Sequence, residues 1–205
     1  MAKNTSAQSR SGAAKTAGRP GQVRIIGGQW RSRKLPIQDL EGLRPTTDRV
    51  RETLFNWLMG ELTGARVLDC FGGSGALALE ALSRYAAYAR IFELQNGAAQ
   101  QLKTNLASLK CTQAEVFQGD TLQWLARGTD QGFDIIFIDP PFRKGLAQQC
   151  LDALVTHGWL NPGALVYLET ESELGAPAVP THWQELKHKQ AGQVSYRLYR
   201  CGEPL

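Results

Sequence analysis

The residues best suited to chemistry are Asp139-Pro140-Pro141-Phe142, which directly follow the apolar run Phe133-Asp134-Ile135-Ile136-Phe137-Ile138. Two consecutive prolines remove two backbone donors and fix φ, so the loop is stiff and its carbonyls stay free. A carboxylate beside free carbonyls suits an amine. The exocyclic amine of a nucleic-acid base delocalises its lone pair into the ring. If the Asp139 carboxylate and the Pro140 carbonyl accept its two N–H bonds, a pyramidal, nucleophilic nitrogen is favoured, able to attack an activated methyl group. Proximity and preorganised acceptors supply most of such catalysis. Phe142 can stack on the base, which must leave its own stack to reach the pocket. The proton shed afterwards can go to water or Asp139, so no dedicated base is required. His157, His182 and His188 lie outside the motifs and receive no catalytic role. A plainer reading makes Pro-Pro a strand stop, Asp139 a loop solubiliser and Phe142 a core residue. It leaves the loop's place, after an Ile-rich strand and downstream of a glycine loop, unexplained.

That glycine loop is Asp69-Cys70-Phe71-Gly72-Gly73-Ser74-Gly75. Gly72, Gly73 and Gly75 allow a sharp strand-to-helix turn and close backbone approach to a ligand. The spacing Gly73-x-Gly75-x-x-Ala78 also fits a dinucleotide site, so the loop alone does not separate NAD from S-adenosylmethionine. Glu93 follows 24 residues after Asp69, where an acid accepts hydrogen bonds from the ribose hydroxyls of either cofactor. Asp120 can receive an adenine amine. Each acid alone also suits a helix cap; together at the carboxyl ends of parallel strands they favour an adenosine cofactor.

These motifs need a parallel sheet to hold them. Beyond residue 64, strand-like runs near 65–70, 89–93, 114–118, 133–138 and 164–169 alternate with helical stretches, the rhythm of a doubly covered parallel sheet. Residues 183–189 and 193–200 read as two strands around Ala191-Gly192, an antiparallel hairpin that ends the sheet. Upstream, Val23 to Ile37 reads as a small hairpin carrying Arg24, Trp30, Arg31, Arg33 and Lys34, with Trp30 expected to pack. An amphipathic helix follows, with Thr46, Thr47 and Asp48 as possible N-caps and Val50, Leu54, Phe55 and Leu58 at helical spacing. Arg44, Arg49 and Arg51 near its start oppose the helix dipole, which points to a phosphate or ligand carboxylate as their reason. Arg24, Arg31, Arg33, Lys34, Arg44, Thr46, Arg49 and Arg51 form the candidate RNA-contacting set. The expected organisation is a disordered basic tail over 1–22, a hairpin and helix appendage over 23–63, and an α/β catalytic domain over 64–205.

Charge supports a polyanionic partner. Residues 1–51 hold eleven Lys or Arg against three acids, and the remainder twelve against sixteen. A basic arm on a mildly acidic body suits docking to nucleic acid and a cationic cofactor. Cys70, Cys111, Cys150 and Cys201 lie far apart without a Cys-x-x-Cys pair, which gives neither a zinc site nor a disulfide framework and suits a reducing cytoplasm. No apolar run is long enough for a membrane helix.

With these residues in hand, the sequence resembles the RsmD family of bacterial 16S ribosomal RNA guanine-N2 methyltransferases, among the class I amino-methyltransferases. The matching stretches are Arg24 to Arg31, Leu43 to Leu58, Leu68 to Arg84, Asp139 to Phe142 and Gly192 to Tyr199. Arg44-Pro45-Thr46 and the Gly-Gly-Gln-Trp-Arg arm separate this family from other carriers of Asp-Pro-Pro-aromatic. The resemblance implies a Rossmann-like, seven-stranded fold, S-adenosylmethionine as donor, no metal, and one guanine of 16S RNA as target, in the assembled or assembling small subunit. It implies that Asp69, Gly72, Gly73, Gly75 and Glu93 hold the cofactor and that Asp139, Pro140 and Phe142 hold the guanine. Where the family often has a second acid, this chain has Gln95. An adenine-N6 DNA methyltransferase and a catalytically silent RNA-binding assembly protein remain alternatives. The first lacks a visible target-recognition domain; intact Asp139 and a complete glycine loop speak against the second.

Overall fold

A computed structural model describes residues 21–38 and 47–202. Most of the expected basic tail, and Arg44 and Thr46, lie outside the described residues.

The chain starts with a two-stranded antiparallel hairpin, β1 (Gln22–Arg24) and β2 (Lys34–Pro36), joined through a 3₁₀ turn at Gly28–Trp30. Helix α1 (Asp48–Trp57) is capped by the Thr47 hydroxyl, which accepts from the Val50 N–H. It buries Val50, Leu54 and Phe55, the stripe expected from helical spacing. Then come β3 (Arg66–Asp69), α2 (Ala76–Ser83), β4 (Tyr88–Glu93), α3 (Asn96–Ser108), β5 (Ala114–Gln118), α4 (Thr121–Leu125), β6 (Phe133–Ile138), α5 (Leu146–Thr156), β7 (Leu160–Glu171), β8 (Gln184–Ala191) and β9 (Val194–Arg200).

Seven strands form one sheet in the order β5-β4-β3-β6-β7-β9-β8. The first five are parallel, and β9 and β8 close the sheet antiparallel, as the turn at Ala191-Gly192 predicts. Strand β7 begins earlier than expected. Leu160 pairs with Phe133 and the register shifts before Ile135 meets Leu165, so an irregularity absorbs Pro162-Gly163. The edge strand β8 is mostly exposed and carries Lys187 and Lys189, charges that discourage pairing with another chain.

The two sheet faces bury separate cores. On one side Val67, Ile91, Phe137 and Tyr167 pack with α2, α3 and α1; on the other Leu68, Phe92, Ile136 and Leu168 pack with α4 and α5. Val23, Ile25 and Leu35 of the hairpin belong to the first of these cores, together with Val50, Leu54 and Phe55. The hairpin and α1 therefore share the body's core instead of forming a satellite.

Candidate active site

Strand order reverses beside β3: the chain leaves it toward β4 and β5, then returns to its other side at β6. Open α/β sheets bind ligands outside the carboxyl ends of their strands at such a point. The glycine loop leaves β3 here and the Asp139 loop leaves β6 beside it, joined where the Cys70 N–H donates to the Phe137 carbonyl at 3.0 Å.

Strand alternation brings four acids to this rim. Glu93 and Asp69 end β4 and β3, Asp139 follows β6, and Glu169 lies near the end of β7; the four strands are adjacent, and each acid lies two residues beyond a side chain of the first core. Asp69 is 1 % exposed. Its Oδ1 accepts from the Phe71 N–H, while its Oδ2 is buried without a partner. Burial, aided by the charges of Asp139 and Glu93, pushes its pKa up to about 7. The Glu93 carboxylate accepts from the Gly73 N–H and the Gln95 N–H, both at 2.7 Å, and so ties the glycine loop to the start of α3. Each oxygen has a second acceptor site left for a ribose hydroxyl.

The glycines answer first to the protein. A Cβ on Gly72 would lie 2.5 Å from the Ile91 side chain, and one on Gly75 2.4 Å from Leu102, with φ +78° at Gly75. Close packing of the loop on β4 and α3 requires glycine at both positions before any ligand is considered. Asp120 caps α4 by accepting from the Gln123 N–H, and the Thr121 hydroxyl donates to the Cys70 carbonyl. The cap leaves one Asp120 oxygen for an adenine amine.

In the catalytic loop Pro140 is buried, Asp139 and Phe142 are half-buried, and Pro141 is exposed. The Arg143 N–H donates to the Glu171 carboxylate and fastens the loop to the end of β7. Ile138 pairs with Leu168, so the register sets Asp139 beside Glu169 on the same face of the sheet, near enough for the Asp139 charge to raise the Glu169 pKa. The Tyr167 hydroxyl donates to Glu169 Oε1 at 2.6 Å. Sequence reading missed both because Tyr167 sits inside the apolar run Leu165-Val166-Tyr167-Leu168 and Glu169 directly follows it; the available signal was an acid near a parallel strand's carboxyl end.

The chain matches the family described as Conserved hypothetical protein 95 over residues 23–200. The chain belongs to this family. It is 55% identical over 181 residues to Ribosomal RNA small subunit methyltransferase D of Escherichia coli strain K12, covering 88% of this chain and 90% of that one. The protein of the same name from Haemophilus influenzae is 50% identical, covering 88% and 94%. Among solved structures, the methyltransferase yhhF from Escherichia coli superposes with a TM-score of 0.83 at 52% identity, covering 89% of this chain and 99% of that one. This member of the family is a class I S-adenosylmethionine-dependent methyltransferase, as the motifs and the sheet order indicated.

The rim fits that donor. It offers buried carboxylates to a cationic group, an orphaned Asp69 oxygen among them, and none of the described residues forms a cluster of three or more His, Cys, Asp or Glu able to hold a metal.

Beside the active site the methyltransferase carries its basic hairpin on α2. The buried Glu80 carboxylate accepts from the Ile26 N–H at 2.7 Å and the Gly27 N–H at 2.8 Å, and pairs with Arg84 at 2.8 Å. Ser83 accepts from the Trp30 N–H and donates to the Gly27 carbonyl. A Cβ on Gly28 would lie 1.9 Å from the Ser83 carbonyl oxygen. So clamped, the hairpin leaves Arg24, Arg31, Arg33 and Lys34 exposed, and Arg49 is exposed on α1. Trp30 packs against the core.

Arg51 corrects the expected RNA-contacting set. It is 2 % exposed; its guanidinium donates to the Arg24 carbonyl at 2.9 Å and pairs with Asp48. The charge that opposes the α1 dipole is therefore held by the hairpin and by Asp48, out of reach of phosphate. Arg143 and Lys144, which sequence reading left out, are exposed cations next to the catalytic loop.

Proposed function

We propose that this methyltransferase modifies the exocyclic 2-amino group of one guanine in 16S ribosomal RNA, in the assembled or assembling small subunit, in the cytoplasm. The observation that carries the reading is the Asp139-Pro140-Pro141-Phe142 loop standing at the sheet's switch point against the glycine loop. The name shared by relatives at 50–55% identity supports ribosomal RNA as the acceptor.

Bound S-adenosylmethionine supplies an electrophilic methyl group on a sulfonium. The chain's residues do the rest. Gly72, Gly73 and Gly75 shape the loop that would hold the donor, Glu93 and Asp120 would accept its ribose and adenine hydrogens, and Asp69 would face its cationic end. Phe142 stacks on the extruded base. Asp139 and the Pro140 carbonyl accept the two amine hydrogens, which localises the nitrogen lone pair, and Asp139 can take the proton shed after transfer.

The test is transfer of labelled methyl from S-adenosylmethionine to unmodified small subunits, free 16S RNA and plasmid DNA, with nucleoside analysis of the product. N2-methylguanosine in RNA supports the reading. Label in DNA adenine, or in none of the three, overturns it.

Two expectations follow from the surroundings of the site. A cation next to Asp69 lowers a pKa that burial has raised to about 7. Donor binding near neutral pH should therefore release a fraction of a proton, and affinity should rise as pH increases over about 6 to 8. Calorimetry in buffers of different ionisation enthalpy measures that release, and a buffer-independent heat would place Asp69 away from the donor. Charge reversal of both Arg31 and Arg33 should weaken RNA binding and lower the log K against log salt slope by about 2, roughly one per lost phosphate contact. An unchanged slope would make the hairpin's charges incidental.

A further inference from the structure

We propose that Glu169 is a positioning residue for methyl transfer: a neutral carboxylic acid in the middle of a directed hydrogen-bond chain, Tyr167 to Glu169 to Asp139, that keeps Asp139 ionised and fixes its orientation. The inference rests on the methyl-transfer reading of the Asp139 loop and assigns that loop its support.

The argument starts from donor and acceptor counting. Ionised carboxylates only accept, so two carboxyl groups hydrogen-bonded to each other hold a proton between them. The register between β6 and β7 sets Asp139 and Glu169 side by side, each two residues beyond a side chain of the same core, where one proton can be shared between them. Glu169 is the more buried of the two, at 5 % exposed, while Asp139 is half-buried at the cleft. The buried member is the poorer place for a charge, so the proton resides on Glu169 and the charge on Asp139. Burial first, then the charge of Asp139, raises the Glu169 pKa above the ordinary carboxylate range. The direction of the chain follows. Tyr167 donates to one Glu169 oxygen, which leaves the acid proton on the other oxygen to be donated to Asp139.

The Tyr167 hydroxyl bond favours the charged form of Glu169, and burial with the charge of Asp139 outweighs it. Among the described residues, the titratable groups around Glu169 are Asp139 from β6, Tyr167 on its own strand and Tyr196, its register partner on β9, with Asp69 beyond Asp139 on β3. None of these is a cation. The Tyr167 hydroxyl is itself held neutral, its pKa raised well above the ordinary value by burial and by Glu169. Trp57 of α1 stacks on Tyr196 at 5.4 Å and helps cover this end of the face. A proton donated by Glu169 to one Asp139 oxygen restrains the carboxylate from rotating.

Glu169→Gln keeps a neutral donor in place of the acid; Glu169→Ala removes it, and Tyr167→Phe removes the first link. Single-turnover methyl transfer, donor affinity and thermal melting would be measured for all three between about pH 6 and 9. The expected result is a rate for Glu169→Gln within a few-fold of wild type, with the alkaline loss of rate reduced. Glu169→Ala should fall at least ten-fold with unchanged donor affinity, and Tyr167→Phe should lie between them. Independently of activity, the infrared difference spectrum of wild type minus Glu169→Gln at neutral pH should contain a protonated-carboxyl band. A missing band, or Glu169→Gln as slow as Glu169→Ala, would overturn the assignment. Absence of methylated nucleoside with wild-type enzyme would defeat the substrate reading instead, and the infrared band would still decide the protonation of Glu169.

Discussion

Asp139→Ala should lower the rate of methyl transfer by about 10²–10³-fold, the usual loss when a preorganised group facing the reacting atom is removed. Donor affinity should stay near wild type, because Asp139 faces the amine while Asp69 and Glu93 line the neighbouring rim. Asp139→Asn separates two effects. Its carbonyl can still accept from the amine or from Glu169, but it carries no charge and cannot take the proton shed after transfer. Part of the activity should therefore survive in Asn and not in Ala. The measurements are single-turnover rates on unmodified small subunits and donor titration by calorimetry. Near-normal turnover in the Ala variant would remove Asp139 from the mechanism.

The pairing of Asp139 with Glu169 also shows where sequence reading reaches and where it stops. Strand β6, the Pro-Pro loop, the glycine loop and the closing hairpin were legible because their signals are local: alternation, turn residues, and breakers at fixed offsets. Glu169 was hidden because its partner lies 30 residues upstream and is chosen by the register between β6 and β7. Arg51 misled for a related reason. From its position near the start of a helix it reads as a cation seeking phosphate, yet the group it serves is a hairpin carbonyl at Arg24. The glycines at 72 and 75 were identified correctly as a turn, while their crowding against Ile91 and Leu102 depends on packing that composition does not encode. Glu80 left a faint trace: a single acid in Ala76-Leu77-Ala78-Leu79-Glu80-Ala81-Leu82-Ser83, a helix apolar all round and therefore buried all round.

That acid carries the second large expectation. Glu80→Ala leaves the Ile26 and Gly27 N–H groups without their acceptor and Arg84 without its partner, at a place where Glu80 has no solvent exposure. Removing one member of a buried charge pair costs about 3–5 kcal/mol, because the remaining groups stay desolvated and unpaired. Glu80→Gln retains one carbonyl acceptor and should lose less. The functional result should be selective. The hairpin is attached through Glu80, Ser83 and the close approach of Gly28, so releasing it loosens Arg31, Arg33 and Lys34, whereas the Asp139 loop stands on β6 and β7. RNA affinity should thus fall further than donor affinity, and the salt slope should move toward that of the Arg31, Arg33 double reversal. Denaturant melts together with filter binding at several salt concentrations would measure both. If stability fell while RNA affinity and its salt slope stayed at wild-type values, the clamp would serve folding alone, and the RNA contact would have to lie elsewhere, with Arg143 and Lys144 beside the catalytic loop the first cations to replace.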